Sequence, residues 1–235
     1  MSRIFINSLY IMEKRNKIVI FGVSDFASQV SFYLNNDSDF EIVAYTVNAE
    51  YIQDNTFHGL PVVDFEDVEK IYPPDEYRMF VAIGYHKLNS SREIKFNEAK
   101  AKGYKLISYI CSKNSYWKDL QVGENCFIME GNIFMQNVKI ADNVIFAIGN
   151  KVGHDSVIEA NCFITSNVMM GGFCTIRKNT FIGLSTVIKD KTTIGERNIL
   201  GAGSIILKDT RSDCSFLTKS TPITPDPNNL IQDFI

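Results

Sequence analysis

Long apolar runs are missing from this sequence of 235 residues. No stretch approaches the ~20 apolar residues that a membrane-spanning helix needs, so no membrane span is expected. The start, MSRIFINSLYIMEKRN, lacks a continuous apolar region and a small-residue cleavage site, so it does not read as a secretory leader, and Met12 serves as a start as well as Met1. Cysteine is sparse and odd in number, five residues without a CxxC pair, which suggests neither a disulfide framework nor a zinc site. Only three histidines occur, His58, His86 and His154, and none has metal-ligand spacing. A net charge of -3 gives no general pull toward nucleic acid or anionic membrane. What remains is 45% hydrophobic and 22% charged, an ordinary globular composition long enough for one or two domains in the cytoplasm.

From Lys17 the segment KIVIFG runs apolar to Gly22, as a buried parallel strand requires. Phe26, Val30, Tyr33 and Leu34 follow at helical spacing behind Asp25, which can cap the helix. Further strands are expected at FEIVAYTV (40–47), 59–63, RMFVAIG (78–84) and YKLISYI (104–110). VEKI and a segment opening at Ser90 or Ser91 and closing before Gly103 read as helices. Strand and helix alternate, so residues 17–111, behind an N-terminal extension of 1–16, read as a Rossmann-like α/β domain with a parallel sheet.

Such sheets take ligands at the carboxyl ends of their strands, where backbone amides and a helix dipole face the crevice. Gly22, Ser24 and Asp25 reach that edge, as do Gly84, Tyr85, His86 and Lys87, and these are the candidate substrate-binding residues for a nucleotide or nucleotide sugar. The other reading is a domain that only packs. A dinucleotide fits poorly, because GVSDFA lacks the later glycines of GxGxxG and Thr46-Val47-Asn48 lacks an acidic residue for a ribose. His58 stands before a turn and reads as structural; His86 is either a ligand contact or merely exposed.

Residues 122–211 follow a different rule. Counting in sixes from Val122 lands on an apolar residue at every step through Ile206, and a small or compact residue such as Cys126, Asn132, Ser156, Cys162 or Cys174 stands four positions after each landing. A period of six fits neither a helix nor a strand. Three sixes make eighteen, one turn of a triangular solenoid whose short strands stack ~4.8 Å apart into a prism of roughly 24 Å. Cys126, Cys162 and Cys174 then read as buried apolar fillers. Residues 112–121, with Trp117, read as a linker, and 212–235, with Pro222, Pro225 and Pro227, as an extended or partly disordered tail.

VGENCF, VGHDSV, IGERNI and LGAGSI each carry an aliphatic residue, a glycine and a small residue in one pattern. In this the sequence resembles the hexapeptide-repeat transferases. The resemblance implies a left-handed parallel β-helix, a handedness the period alone does not reveal, and a homotrimer with acyl-donor sites between subunits. A small α/β domain followed by such a helix is similar to the bacterial sugar acetyltransferases of the sialic acid O-acetyltransferase type, over about residues 17–211. That group includes enzymes that N-acetylate nucleotide-linked 4-amino sugars. The sharpest local match is GNKVGHDSVIEANCFI, where the family carries a histidine followed by an acidic or similar residue. This implies His154 as general base and Asp155 as its orienting partner, acetyl-CoA as co-substrate, and no metal. It also implies Gly183, Gly201 and Ala202 as donor-lining positions. Lys189 or Lys208 either meets coenzyme A phosphates or is a solvated corner residue.

The register adds one expectation of its own. Eighteen residues beyond His154 stands Gly172, with Gly171 beside it, and their missing side chains are expected to leave room for a pantetheine arm. One departure stands out: the family's first-strand loop commonly carries Gly-Gly-His where this chain has Ser24-Asp25-Phe26. The expected activity is acetyl transfer from acetyl-CoA to an amino group of a nucleotide-activated sugar in surface glycan biosynthesis. The alternatives are sugar O-acetylation, transfer of another acyl group, and a non-catalytic trimeric scaffold or nucleotide-sugar sensor in which His154 is a solvated corner residue.

Overall fold

A computed structural model describes residues 16–221. Strands β1 (Asn16–Phe21), β2 (Phe40–Val47), β3 (Thr56–Phe57), β4 (Leu60–Asp64) and β5 (Arg78–Val81) form one sheet in the order β3-β4-β2-β1-β5. It is parallel except for the β3–β4 hairpin. Helices α1 (Asp25–Asp37), α2 (Val68–Ile71) and α3 (Ser90–Ala101) complete this unit. Both faces of β1 are covered, which is why its sequence does not alternate: Ile18 and Ile20 pack with Val30 and Leu34 of α1, and Val19 with Phe96 and Ala99 of α3.

Two local expectations shift. Ser24, not Asp25, is the N-cap of α1, and its side chain makes no capping bond. Residues 104–110 do not form another full strand of this sheet. Leu106 makes a single bridge to Met79, and the chain then leaves, with Tyr109–Ile110 pairing onto Phe127–Ile128.

From Tyr109 two-residue strands stack in parallel, each paired with residues eighteen before and after it, as in Ile133↔Lys151 and Lys151↔Met169. Three sheets result, and the coil is a left-handed parallel β-helix. Every landing from Ile128 to Ile206 is buried, and so is the small slot from Cys126 to Ser204. The coil exceeds its expected limits at both ends. Ser115–Tyr116, within the expected linker, pairs with Ile133–Phe134, because Tyr116 and Ile110 continue the six-residue count backward from Val122. Ser215–Phe216, within the expected tail, pairs with Ile199–Leu200 across sixteen residues rather than eighteen, a spacing the count misses. The expectations for residues 1–15 and for Pro222, Pro225 and Pro227 lie outside the described residues.

The prism has three different faces. Phe127, Ile145 and Phe163 point outward from the first and are buried beneath the α/β domain, with Phe26 and Phe80 against Phe127. The second face presents exposed Ile133, Met169, Val187 and Ile205. The third presents Gln121, Lys139, Val157, Thr175 and Thr193. Where the third face meets the covered one, Asn125, Asn143, Asn161 and Asn179 stack in left-handed corner positions (φ 54°, 62°, 64° and 58°) that asparagine tolerates well. Each amide donates to the Oδ1 of the next, at 2.8, 2.8 and 3.4 Å, and Asn179 ends the ladder on Glu93 of α3 at 2.7 Å.

A carboxylate fastens the far end of α1 to the first turn of the coil. Asp37 accepts hydrogen bonds from the Ser112 hydroxyl, from Tyr109 Oη at 2.6 Å and from the Ser112 amide at 2.8 Å, and these hold its carboxyl well below the usual carboxylate range. A depressed folded-state pKa contributes stability above the unfolded value of ~3.9 that is lost as pH falls through the folded value. Asp37→Asn is therefore expected to flatten the acid limb of the stability profile below about pH 4. Denaturant midpoints between pH 6 and pH 2 measure this, and a limb as steep as the parent's would contradict the assignment.

Candidate active site

The corner between Lys151–Val152 and Val157–Ile158 is Gly153-His154-Asp155-Ser156. The chain turns there through a left-handed residue, Asp155 (φ 58°), as it does at Asn137, Phe173 and Lys191 in the neighbouring turns. Backbone bonds lock the corner above and below: Asp155 N donates to Gln136 O at 3.0 Å, and Phe173 N donates to His154 O at 2.8 Å. His154 Nδ1 lies 2.7 Å from Asp155 Oδ2, while Asp155 Oδ1 accepts from Asn137 Nδ2 at 3.0 Å. The bond from His154, and after it the bond from Asn137, lowers the Asp155 pKa, so an ionised carboxylate faces Nδ1 at neutral pH. That pairing places the proton on Nδ1 and the lone pair on Nε2. Among the described residues Nε2 has no hydrogen-bond partner. Phe173 stands edge-on to the imidazole at 5.0 Å.

The glycines do something other than what the register suggests. A Cβ on Gly172 would sit 2.7 Å from His154 Nε2, so the gap there is filled by the imidazole itself, not kept open for a ligand. A Cβ on Gly171 would meet the Asp190 backbone at 2.5 Å, and one on Gly153 would meet the Gly171 carbonyl carbon at 2.3 Å. These glycines let adjacent turns approach and seat the ring. Gly183 has the same packing role, since a Cβ there would lie 2.6 Å from Ala202 N. With Gly201 and Ala202 it lies where the covered face meets the apolar one, a different edge from that of His154. Lys189 and Lys208 do share the His154 edge, two and three turns further along.

The second candidate site is a cavity of about 810 Å³ at the carboxyl edge of the α/β sheet. Gly22, Ser24, Gly84, His86 and Lys87 line it, as expected, together with Lys95. Gly22 has φ 128° and its α-carbon approaches Ala82 O so closely that a Cβ would lie 2.9 Å away, so only glycine suits the turn. His86 Nδ1 is held by Ser91 Oγ at 2.9 Å. Two expected residues are not in the wall: Asp25 heads α1, and Tyr85 packs against Phe163 and Phe181 of the coil at 5.1 and 4.9 Å. Two residues on α3 carried no signal in the sequence. Lys95 bonds Glu98 at 2.5 Å and lies 5.3 Å from the Phe65 ring centre. Arg92 is fully buried, its pKa pushed down to about 10 by burial. Both read as ordinary charges on a helix until the coil is docked against it.

The His154 edge is the one opposite the covered face, so within one chain the prism stands between the imidazole and the cavity. Among the described residues no group of three or more His, Cys, Asp or Glu is placed to hold a metal ion, and no helix is long and apolar enough to cross a membrane.

No protein-family model matches the chain, and no curated protein matches it in sequence. Solved structures do match. The acetyltransferase domain of PglB from Neisseria gonorrhoeae FA1090, in complex with acetyl coenzyme A, has a TM-score of 0.75 at 21% identity over 87% of this chain and 97% of that one. A perosamine N-acetyltransferase from Caulobacter crescentus, a variant with one histidine replaced by asparagine and in complex with CoA and GDP-perosamine, has a TM-score of 0.74 at 24% identity over 89% and 97%. WeeI from Acinetobacter baumannii AYE has a TM-score of 0.72 at 20% identity over 84% and 94%. The whole arrangement, α/β domain and β-helix together, is therefore a fold shared with sugar acetyltransferases.

Gly172→Ala and Gly153→Ala separate the two roles of glycine at this corner. In Gly172→Ala the obstructed atoms belong to a side chain that can rotate, so the coil is expected to survive while the imidazole swings out of its seat. In Gly153→Ala the obstruction is backbone, and a loss of about 1–3 kcal/mol is expected. Melting curves together with the His154 ring-proton NMR shifts measure both effects; an unmoved ring in Gly172→Ala would contradict the seat.

Proposed function

We propose that this chain transfers the acetyl group of acetyl-coenzyme A to an amino group of a nucleotide-activated sugar, with His154 as general base and Asp155 as its orienting partner, as a cytoplasmic step in surface glycan assembly. One observation carries the reading: the His154–Asp155 pair, 2.7 Å apart and with Nε2 unpartnered among the described residues, sits at the edge of a coil whose solved likenesses include a perosamine N-acetyltransferase holding CoA and GDP-perosamine. That one of those structures carries a histidine replacement supports a histidine in the central role.

Acetyl-coenzyme A supplies a thioester. In the proposed reaction the sugar nitrogen attacks its carbonyl carbon, Nε2 of His154 takes the nitrogen's proton as the C–N bond forms, and the C–S bond then breaks. The imidazolium returns that proton to the departing thiolate. Asp155 keeps its bond to Nδ1 throughout, fixing the tautomer and stabilising the transient positive charge.

The residues along the edge fit such a donor. Exposed Met135, Phe173 and Leu207 offer apolar surface to a pantetheine arm. Lys189 and Lys208 stand roughly 10 and 14 Å along the stack, counted at one strand spacing per turn, and offer cations to phosphates. The cavity would take the nucleotide sugar, its amide-rich first turn and Lys95 suiting a diphosphate.

Because one chain holds its imidazole and its cavity on opposite sides of the prism, we further propose a homotrimer in which His154 of one copy serves the cavity of another. The exposed column Ile133, Met169, Val187 and Ile205 is the face such an assembly would bury. It is bounded by the His154 edge on one side and by the Gly183 and Gly201 edge on the other. The free, buried Cys111, Cys126, Cys162 and Cys174 suit a reducing compartment.

His154→Ala is expected to lower kcat roughly 10²–10⁴-fold while leaving acetyl-CoA binding and the oligomer intact. Thiol release with a panel of nucleotide-linked amino and hydroxy sugars measures it. Undiminished turnover in the variant would sink the mechanism, and turnover of hydroxy sugars alone would reassign the acceptor.

A further inference from the structure

The cavity wall between β5 and α3 runs against its own backbone preference. Lys87, Leu88 and Asn89 have φ of 49°, 52° and 67°. These are three successive non-glycine residues in the left-handed region, where a Cβ crowds the following carbonyl oxygen. Such a run persists only where the surroundings hold it in place. The surroundings here are two fully buried polar side chains, Asn89 and Arg92.

Arg92 Nη1 donates to the Gly84 carbonyl at 2.6 Å and to Asn89 Oδ1 at 3.1 Å. Nη2 donates to the carbonyls of Asn143, Asn161 and Cys162 at 3.2, 3.1 and 3.2 Å, and Nε donates to Asn143 at 3.3 Å. Asn89 Nδ2 reaches the Thr180 carbonyl at 3.4 Å. One planar fork and one amide therefore tie the loop to three consecutive turns of the coil. None of these partners is a carboxylate, and the adjacent Glu93 is engaged by Asn179. Burying a cation among carbonyl dipoles with no counter-charge is costly, so charge alone does not account for an arginine at this position. Its geometry does: five donors in a rigid plane can hold acceptors from two domains at once, which lysine cannot do.

We propose that Arg92 is the positioning residue of the cavity, fixing the Gly84–Asn89 loop against the covered face of the coil so that Gly84, His86 and Lys87 keep the arrangement that a nucleotide sugar needs. Arg92 touches no reacting atom; it acts through the loop. The inference rests on the cavity being the nucleotide-sugar site, and its test has one arm that does not depend on that reading.

Arg92→Lys keeps the cation without the fork, and Arg92→Met removes both at similar volume. In the full chain without ligand, hydrogen exchange of the Asn89 and Ser90 amides, which donate to Tyr85 O and Lys87 O at 3.2 Å each, is expected to quicken about tenfold or more in each variant, with α1 and the third face of the coil unchanged. Equal acceleration throughout the α/β domain, or none at Asn89 and Ser90 in Arg92→Lys, would overturn the proposal. In the second arm, KM for GDP-perosamine or a UDP-linked 4-amino sugar is expected to rise about tenfold in Arg92→Lys, with kcat and the acetyl-CoA KM within about twofold of the parent. A fall in kcat with KM unchanged would overturn the positioning role. If the parent turns over neither probe, the proposed function fails, and the exchange result alone decides the loop.

Discussion

Up to Ile206, eighteen residues carry the chain once around the prism and one strand spacing upward, so each side chain there rests on the one eighteen positions away. Most of what the molecule does locally follows from this stacking. It buries one apolar landing per strand, and it lines up Asn125, Asn143, Asn161 and Asn179 so that each amide satisfies the next. It sets Gly171 against Gly153, where no Cβ fits, and it lays the His154 ring over Gly172. It brings Asn137 beneath Asp155, so the carboxylate that holds the imidazole is itself held. A histidine on a tight corner would ordinarily swing in solvent. Here the turn above supplies a seat and the turn below a brace.

The strand-to-strand hydrogen bonds of the coil run within the coil, yet one of its faces is written for the α/β domain. Phe127, Ile145 and Phe163 point outward and would be exposed without the domain. Polar contacts set the docking angle, among them the asparagine ladder ending on Glu93, the Asp37 clamp on Tyr109 and Ser112, and the Arg92 fork. Apolar burial supplies the bulk of the attraction but little direction. The ladder's end on Glu93 and the Arg92 fork lie on α3 beside the cavity loop, where a small rotation would matter most for a bound ligand, and the Asp37 clamp holds the opposite end of α1.

The period of the coil was legible because it recurs without a slip from Val122 to Ile206, so the buried column, the small slot and the corner that holds His154 all follow from counting. Counting failed where the repeat changed length, as between Leu200 and Phe216. It also failed at Gly172: the register shows which residues stack, but not which way a missing Cβ would have pointed, and the vacancy read as a channel is occupied by the imidazole. In the α/β domain the turn after β1 was legible from its glycine and the helix behind it. Tyr85 was not, because the rings it packs against, Phe163 and Phe181, come from another part of the chain. Arg92 lay beyond local reading for the same reason, since its acceptors on the coil stand 51 to 70 residues away.

The central claim is that the imidazole of one copy serves the cavity of another. Two inactive chains test it most directly. His154→Ala removes the base and keeps the cavity; Gly84→Trp fills the cavity from a position whose Cβ direction is open space and keeps the base. Co-expressed in equal amounts and mixed at random in a closed trimer, the pair is predicted to recover roughly a quarter of the parent's turnover, since about one site in four then joins an intact cavity to an intact imidazole. Mixed oligomers that contain both chains and remain as inactive as either alone would contradict the account.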